Sequence, residues 1–167
     1  MDNASLLRSL KQRAKKEQEK KTSGSGLSKF VIFQVEDTRF ALKAEQVREI
    51  SFENEIYYVP FLPPYIHGYA NRHGQPFTVY DVQMLFEQRK LESSTLLILD
   101  IQEDQLALLI SDIEEIVKLP QDAIHPLASH DESARFFAHS ITVDEQELFV
   151  LNVDTLLERL ERDIEHV

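Results

Sequence analysis

From Ser28 onward, short apolar runs alternate with polar turns. Phe30-Val31-Ile32-Phe33-Gln34-Val35 has the length and content of a strand, Glu36-Asp37-Thr38 of a turn, and Arg39-Phe40-Ala41-Leu42 of the returning strand of a hairpin. Gln46 to Phe52 predicts a third strand. Pro60, Pro63 and Pro64 interrupt regular structure and leave residues 59–63 as an ordered loop. Tyr65 to Arg72 and Pro76 to Tyr80 flank His73-Gly74, a turn in which glycine accepts a positive φ at no steric cost. Asp81 is placed to cap a short helix over Val82, Leu85 and Phe86.

The second half repeats this order. Thr95 to Ile101 and Leu106 to Ile110 flank the turn 102–105, Ile113 to Leu119 is the next strand, and Pro120-Gln121-Asp122 starts a helical turn. Phe136 to Val143 and Leu148 to Leu151 then flank Asp144-Glu145-Gln146. Val35, Phe40, Ala41, Leu42, Val47 and Ile50 correspond to Ile101, Leu106, Ala107, Leu108, Ile113 and Ile116, each 66 positions later. Ile66, Ala70, Val79, Asp81, Val82 and Leu85 correspond to Phe137, Ile141, Val150, Asn152, Val153 and Leu156, each 71 later; five extra loop residues within 125–135 account for the change. Such a duplication predicts two similar subdomains packed together. Many short strands and few helices favour small barrels over a parallel sheet. A C-terminal helix, capped by Asn152 or Asp154, presents Val153, Leu156, Leu157, Leu160 and Ile164 on one face.

Ahead of this body, residues 1–21 are polar and basic, with Leu6, Leu7, Leu10 and Ala14 on a helical spacing, and Thr22-Ser23-Gly24-Ser25-Gly26 reads as a flexible linker. The expected organisation is therefore a basic tail over 1–27, flexible or helical and separate from the body. A domain over 28–160 follows, with subdomain one at about 28–90, subdomain two at about 91–152 and the C-terminal helix at 153–165. The net charge of −11 is uneven: residues 1–29 hold eight basic and three acidic side chains, so the rest carries −16. An acidic body argues against nucleic-acid binding. The tail could dock on an acidic partner or touch an anionic membrane surface, but its apolar face is too short for insertion. The chain has no cysteine, no run of membrane-spanning length and no apolar core for a secretory signal, so a cytoplasmic protein is expected.

Candidate chemistry is sparse. Gly68 and Gly74 are too isolated for a phosphate cradle, and a serine elbow is missing. His125, His130, Asp131 and His139 come nearest to a metal-ligand set, but they fall in a predicted loop and strand, and no metal or other cofactor is expected. Glu114 and Glu115 are strand neighbours facing opposite ways, so they cannot form a carboxylate dyad. A non-enzymatic binding module is the reading these residues favour.

The stretch from Ile66 to Val82 resembles the signature of the CheW family of chemosensory adaptors, written approximately G-V-x-N-L-R-G-x-x-x-P-V-x-D-L; Gly68, Asn71, Gly74, Val79 and Asp81 match it. Val47-Arg48-Glu49-Ile50 resembles the family's V-x-E-I, the segment from Leu108 to Ile116 its V-V-D-x-V-x-x-V, and Leu119 to Pro126 its L-x-x-x-x-I-x-P. The likeness runs from about Lys29 to Leu160. It implies a mainly β fold of two tandem five-stranded β-barrel subdomains. It also implies a scaffold, with no enzymatic activity, that couples the cytoplasmic tips of chemoreceptors to the regulatory domain of a CheA-type histidine kinase in membrane-associated arrays. The kinase-binding residues implied are Val47, Glu49 and Ile50. The receptor-binding residues implied are Gly68, Asn71, Arg72, His73 and Gly74, with Ile113 and Ile116 by the groove between subdomains, where an apolar seam would receive a helical hairpin. Read from composition alone, Val47, Ile50, Ile113 and Ile116 favour the plainer role of core positions.

Three departures mark a divergent member. Thr78 stands for the family proline, with Pro76 two positions earlier. Ser111 stands for an aspartate, with Asp112 beside it. The family arginine falls on His73, with Arg72 one position before it. Strand neighbours face opposite ways, so either the fixed charge is lost or Arg72 supplies it through a changed backbone. Adaptors of pilus-driven or surface-motility systems, and a small β-barrel ligand-binding domain, are the alternative readings.

Overall fold

The computed structural model describes residues 3–20, 26–102, 104–127 and 131–166, and of residues 14–20 the backbone alone. Its elements are α1 (Asn3–Lys20), β1 (Ser28–Val35), β2 (Thr38–Lys43), β3 (Val47–Ser51), β4 (Ile66–Arg72), β5 (Gln75–Tyr80), α2 (Val82–Glu87), β6 (Thr95–Leu99), β7 (Leu106–Ile110), β8 (Asp112–Leu119), β9 (Ile124–Pro126), β10 (Phe137–Val143), β11 (Gln146–Leu151) and α3 (Val153–Glu165).

The strands form two sheets, one in the order β8-β1-β2-β11-β10-β9 and the other in the order β3-β6-β7-β5-β4. Two expectations change here. Among the described residues neither sheet closes into a barrel, and the first has six strands rather than five. Nor do the sheets follow the halves of the chain: a boundary near residue 90 cuts across both. The hairpin β1–β2 joins β8, β9, β10 and β11 of the second half, while β6–β7 joins β3, β4 and β5 of the first. The physical reason is that both faces of β1 and β2 are apolar. Val31, Phe33, Val35, Phe40 and Leu42 face the main core, and Phe30, Ile32 and Ala41 face a second cluster with Ile141, Val143, Leu148 and Val150. A hairpin apolar on both faces must be covered on both sides.

The duplication survives this exchange at single-residue resolution. β11 runs parallel to β2 with Val150 opposite Ala41, and β5 runs parallel to β7 with Val79 opposite Ala107. The register irregularity at Ile66–Gly68 recurs at Phe137–His139, and that at Val47–Glu49 recurs on β8 between Ile113 and Glu115. The helix starts also correspond. Asp81 accepts a hydrogen bond from the Met84 amide at 3.0 Å, and Asn152 accepts one from the Thr155 amide at 3.3 Å. Pro126 lies on β9, an edge strand, where its missing N–H costs nothing in the ladder.

The basic tail is helical and lies against the body rather than apart from it. Ala4 and Leu7 are buried, and Leu7 joins the main core cluster. No described helix is long and apolar enough to cross a membrane.

Candidate functional site

Of the residues singled out from sequence, Val47, Glu49 and Ile50 lie on β3 and Gly68, Asn71 and Arg72 on β4, the two edge strands of the second sheet, while Ile113 and Ile116 lie on β8 of the first. Glu49, on β3, is 2% exposed although it carries a carboxylate. It is satisfied from both sides. Arg72 on β4 donates from Nε to Oε1 at 2.8 Å, and Arg8 on α1 donates from Nη2 to Oε2 at 3.1 Å. Burial by itself would raise the Glu49 carboxyl. The Arg72 hydrogen bond and charge, then the Arg8 charge, outweigh it and hold the group below its ordinary value. The Glu49–Arg72 pair therefore spans the two sheet edges that the backbone leaves unjoined. Removing one partner of such a buried pair costs about 3–5 kcal/mol in general; the 27% exposure of the Arg72 side chain puts this pair at or below the lower end.

Of the two adjacent residues, Arg72 is the one that pairs with Glu49. His73 and Gly74, with φ of 53° and 79°, make the two-residue turn between β4 and β5, and Arg72 pairs with Gln75 across it. Both positions require positive φ, the signature of a type I′ hairpin. His73 is exposed at the tip, so Arg72, at the last position of the strand, supplies the cation that reaches Glu49.

Gly68 is placed by backbone approach. Its φ is +146°, and a Cβ there would lie 2.1 Å from the Tyr57 carbonyl oxygen. The segment before β4 folds over it. The Tyr57 amide donates to Tyr69 O at 2.8 Å, the Tyr69 amide donates to Tyr57 O at 2.9 Å, and the two rings stack at 5.2 Å. Asn71 is exposed on β4. Val47 and Ile50 are buried in the main core. Ile113 and Ile116, on β8, are half-buried against that core from the first sheet. Val47 and Ile116 meet again at a cleft of about 200 Å³ that also takes in Val31, Ala44 and the α1 residues Leu7, Leu10 and Lys11.

Asp81, within the same signature, is buried and structural. One oxygen caps α2, and the other accepts the buried Leu91 amide at 2.9 Å. Among the described residues no three His, Asp or Glu side chains converge as metal ligands. His130 lies outside the described residues, and His125 contacts Thr142 Oγ1 at 3.3 Å instead.

Two features escaped the sequence reading. Tyr58 and Phe61, 77% and 87% exposed, crown the proline-rich segment before β4. A cleft of about 630 Å³ holds Phe40, Phe86, Phe136, Phe137 and Phe149, with Arg135, Arg159 and Arg162 also lining it. The proline spacing signalled an ordered loop. Nothing in it signalled that the aromatic rings would point outward.

Comparison with known proteins agrees with this architecture. The family model for the CheW-like domain matches residues 29–161. Among solved structures, the fold is similar to the crystal structure of the scaffolding protein TtCheW from Thermoanaerobacter tengcongensis. The TM-score is 0.69 at 20% identity, over 78% of this chain and 88% of that one. No curated protein matches the chain at a significant level.

Proposed function

The chain belongs to the CheW-like domain family, and on that footing we propose that it is a non-enzymatic chemosensory scaffold coupling chemoreceptor tips to a CheA-type histidine kinase. The observation that carries this reading is the match of the domain over residues 29–161 together with its V-x-E-I strand, β3, tied to β4 by the Glu49–Arg72 pair. β3 is an edge strand with one hydrogen-bonded neighbour, β6. Edge strands offer unpaired backbone groups to a partner. On this reading Val47, Glu49 and Ile50 shape the kinase-facing strand from within, because their side chains are buried and set its position. Gly68, Asn71, Arg72, His73 and Gly74, with Ile113 and Ile116, form the receptor-facing side, where the apolar seam between the sheets suits a helical hairpin. The protein acts in the cytoplasm and is recruited to receptor arrays by its partners.

Co-sedimentation with receptor tips and a kinase regulatory domain tests this. The expected result is a ternary pellet that needs all three components. A protein that pellets with neither partner refutes the scaffold reading. An Arg72→Ala variant that stays folded and pellets as well as the parent would remove the β3–β4 seam from the mechanism.

A further inference from the structure

α1 lies on the strand to which the scaffold reading assigns the kinase. Its first two turns bury Ala4 and Leu7 against the body, with Leu7 in the same core cluster as Val31 and Val47. Arg8 reaches Glu49 at 3.1 Å, and Lys11 reaches Asp100, just beyond β6, at 3.6 Å. The fit is incomplete. The cleft of about 200 Å³ between helix and sheets stays open, and Leu6 and Leu10 remain 48% and 41% exposed. The Arg8 and Asp100 side chains are more than half exposed, which makes their pairs weak and salt-sensitive. Among the described residues, a buried leucine, a buried alanine and two exposed ion pairs contribute to the seat of the helix. The strands beneath it are locked by ladders and core. Only seven residues, 21–27, separate α1 from β1, and a tether that short keeps a released helix at high effective concentration near its seat.

We propose that α1 is a built-in competitor: it occupies the β3 docking surface, and a kinase regulatory domain engages that surface only once α1 has lifted away. This inference rests on the scaffold reading above. Its consequence is quantitative. The apparent dissociation constant equals the intrinsic one divided by the fraction of molecules with α1 released. A released fraction of about one in ten makes the parent bind about tenfold more weakly than a form with the helix freed.

The test titrates a CheA-type kinase regulatory domain against three full-length proteins: the parent, Leu7→Asp, and Arg8→Glu with Lys11→Glu. Hydrogen exchange at residues 47–51 reports release of the helix. Neither variant changes the sequence of β3, and the charge variant leaves the apolar core side chains untouched should Leu7→Asp disturb folding. The expected result is faster exchange at β3, with binding about tenfold tighter for Leu7→Asp and several-fold tighter for the charge variant. Equal affinities despite faster exchange would overturn the inference and leave the scaffold reading intact. Weaker binding by the variants would also overturn it, since α1 would then be part of the docking surface. No binding by any of the three would refute the scaffold reading, and this inference with it.

Discussion

Replacing Gly68 by alanine tests whether this signature glycine serves backbone approach. The added Cβ would sit 2.1 Å from the Tyr57 carbonyl oxygen and 2.8 Å from its carbonyl carbon. Both neighbours are backbone, so no side chain can swing aside. The Tyr57 backbone must retreat by close to an ångström. Tyr57 donates one hydrogen bond of the Tyr57–Tyr69 bridge, at 2.8 Å, and accepts the other, at 2.9 Å, so both are lost together. At about 0.5–1.5 kcal/mol each they account for about 1–3 kcal/mol. Holding alanine at φ +146° adds about 1–3 kcal/mol of strain unless the strand itself moves. The expected loss is about 2–6 kcal/mol, read as a lower urea midpoint at unchanged slope. A double-mutant cycle sharpens this: Tyr57→Ala keeps the backbone bridge and removes only the ring stacked on Tyr69, so it should cost less in the Gly68→Ala background, where the displaced Tyr57 backbone has already pulled the rings apart. A loss under about 1 kcal/mol, or additive effects in the cycle, would refute the close-approach argument.

Three further outcomes follow from the geometry. Asp81→Ala should cost about 2–4 kcal/mol, since it loses a helix cap and leaves the buried Leu91 amide unpaired, whereas its repeat counterpart Asn152→Ala should cost about 1 kcal/mol; equal losses in urea unfolding would contradict the double role of Asp81. Glu49, held below its ordinary value of 4.5, contributes stability that is present above that pH and lost as pH falls through the lower folded value. Stability measured from about pH 3 to 7 should therefore rise less steeply with pH in Glu49→Gln than in the parent over the acid limb, and parallel curves would show that Arg72 and Arg8 do not stabilise the carboxylate. Leu7→Ala should cost only about 1–2 kcal/mol, because the helix can lift off rather than leave a hole in the core; a loss above about 4 kcal/mol in the same assay would make α1 an integral part of the core.

Local pattern determined much of this protein. Apolar runs and turn residues located every described strand but the three-residue β9 to within a few positions, because strand length, hairpin turns and helix caps are set by neighbours in sequence. Asp81 and Asn152 cap the helices that their spacing announced, and His73-Gly74 forms the turn expected of a positive-φ pair. The 66- and 71-residue offsets held down to the opposed pairs Ala41–Val150 and Val79–Ala107. Which strand would lie beside which was decided only in three dimensions. Periodicity records that a face is buried and says nothing of what buries it, so the exchange of hairpins between halves could not be read, and tandem closed barrels became two interleaved open sheets. The roles of Arg72 and Gly68 were hidden for the same reason: each is defined by an atom far along the chain, the Glu49 carboxylate and the Tyr57 carbonyl. The seat of α1 is the clearest case. Leu7 was visible on the apolar face of a basic helical segment, but the strand that it and Arg8 meet is chosen by the shape and charge of a surface that exists only once both sheets have formed.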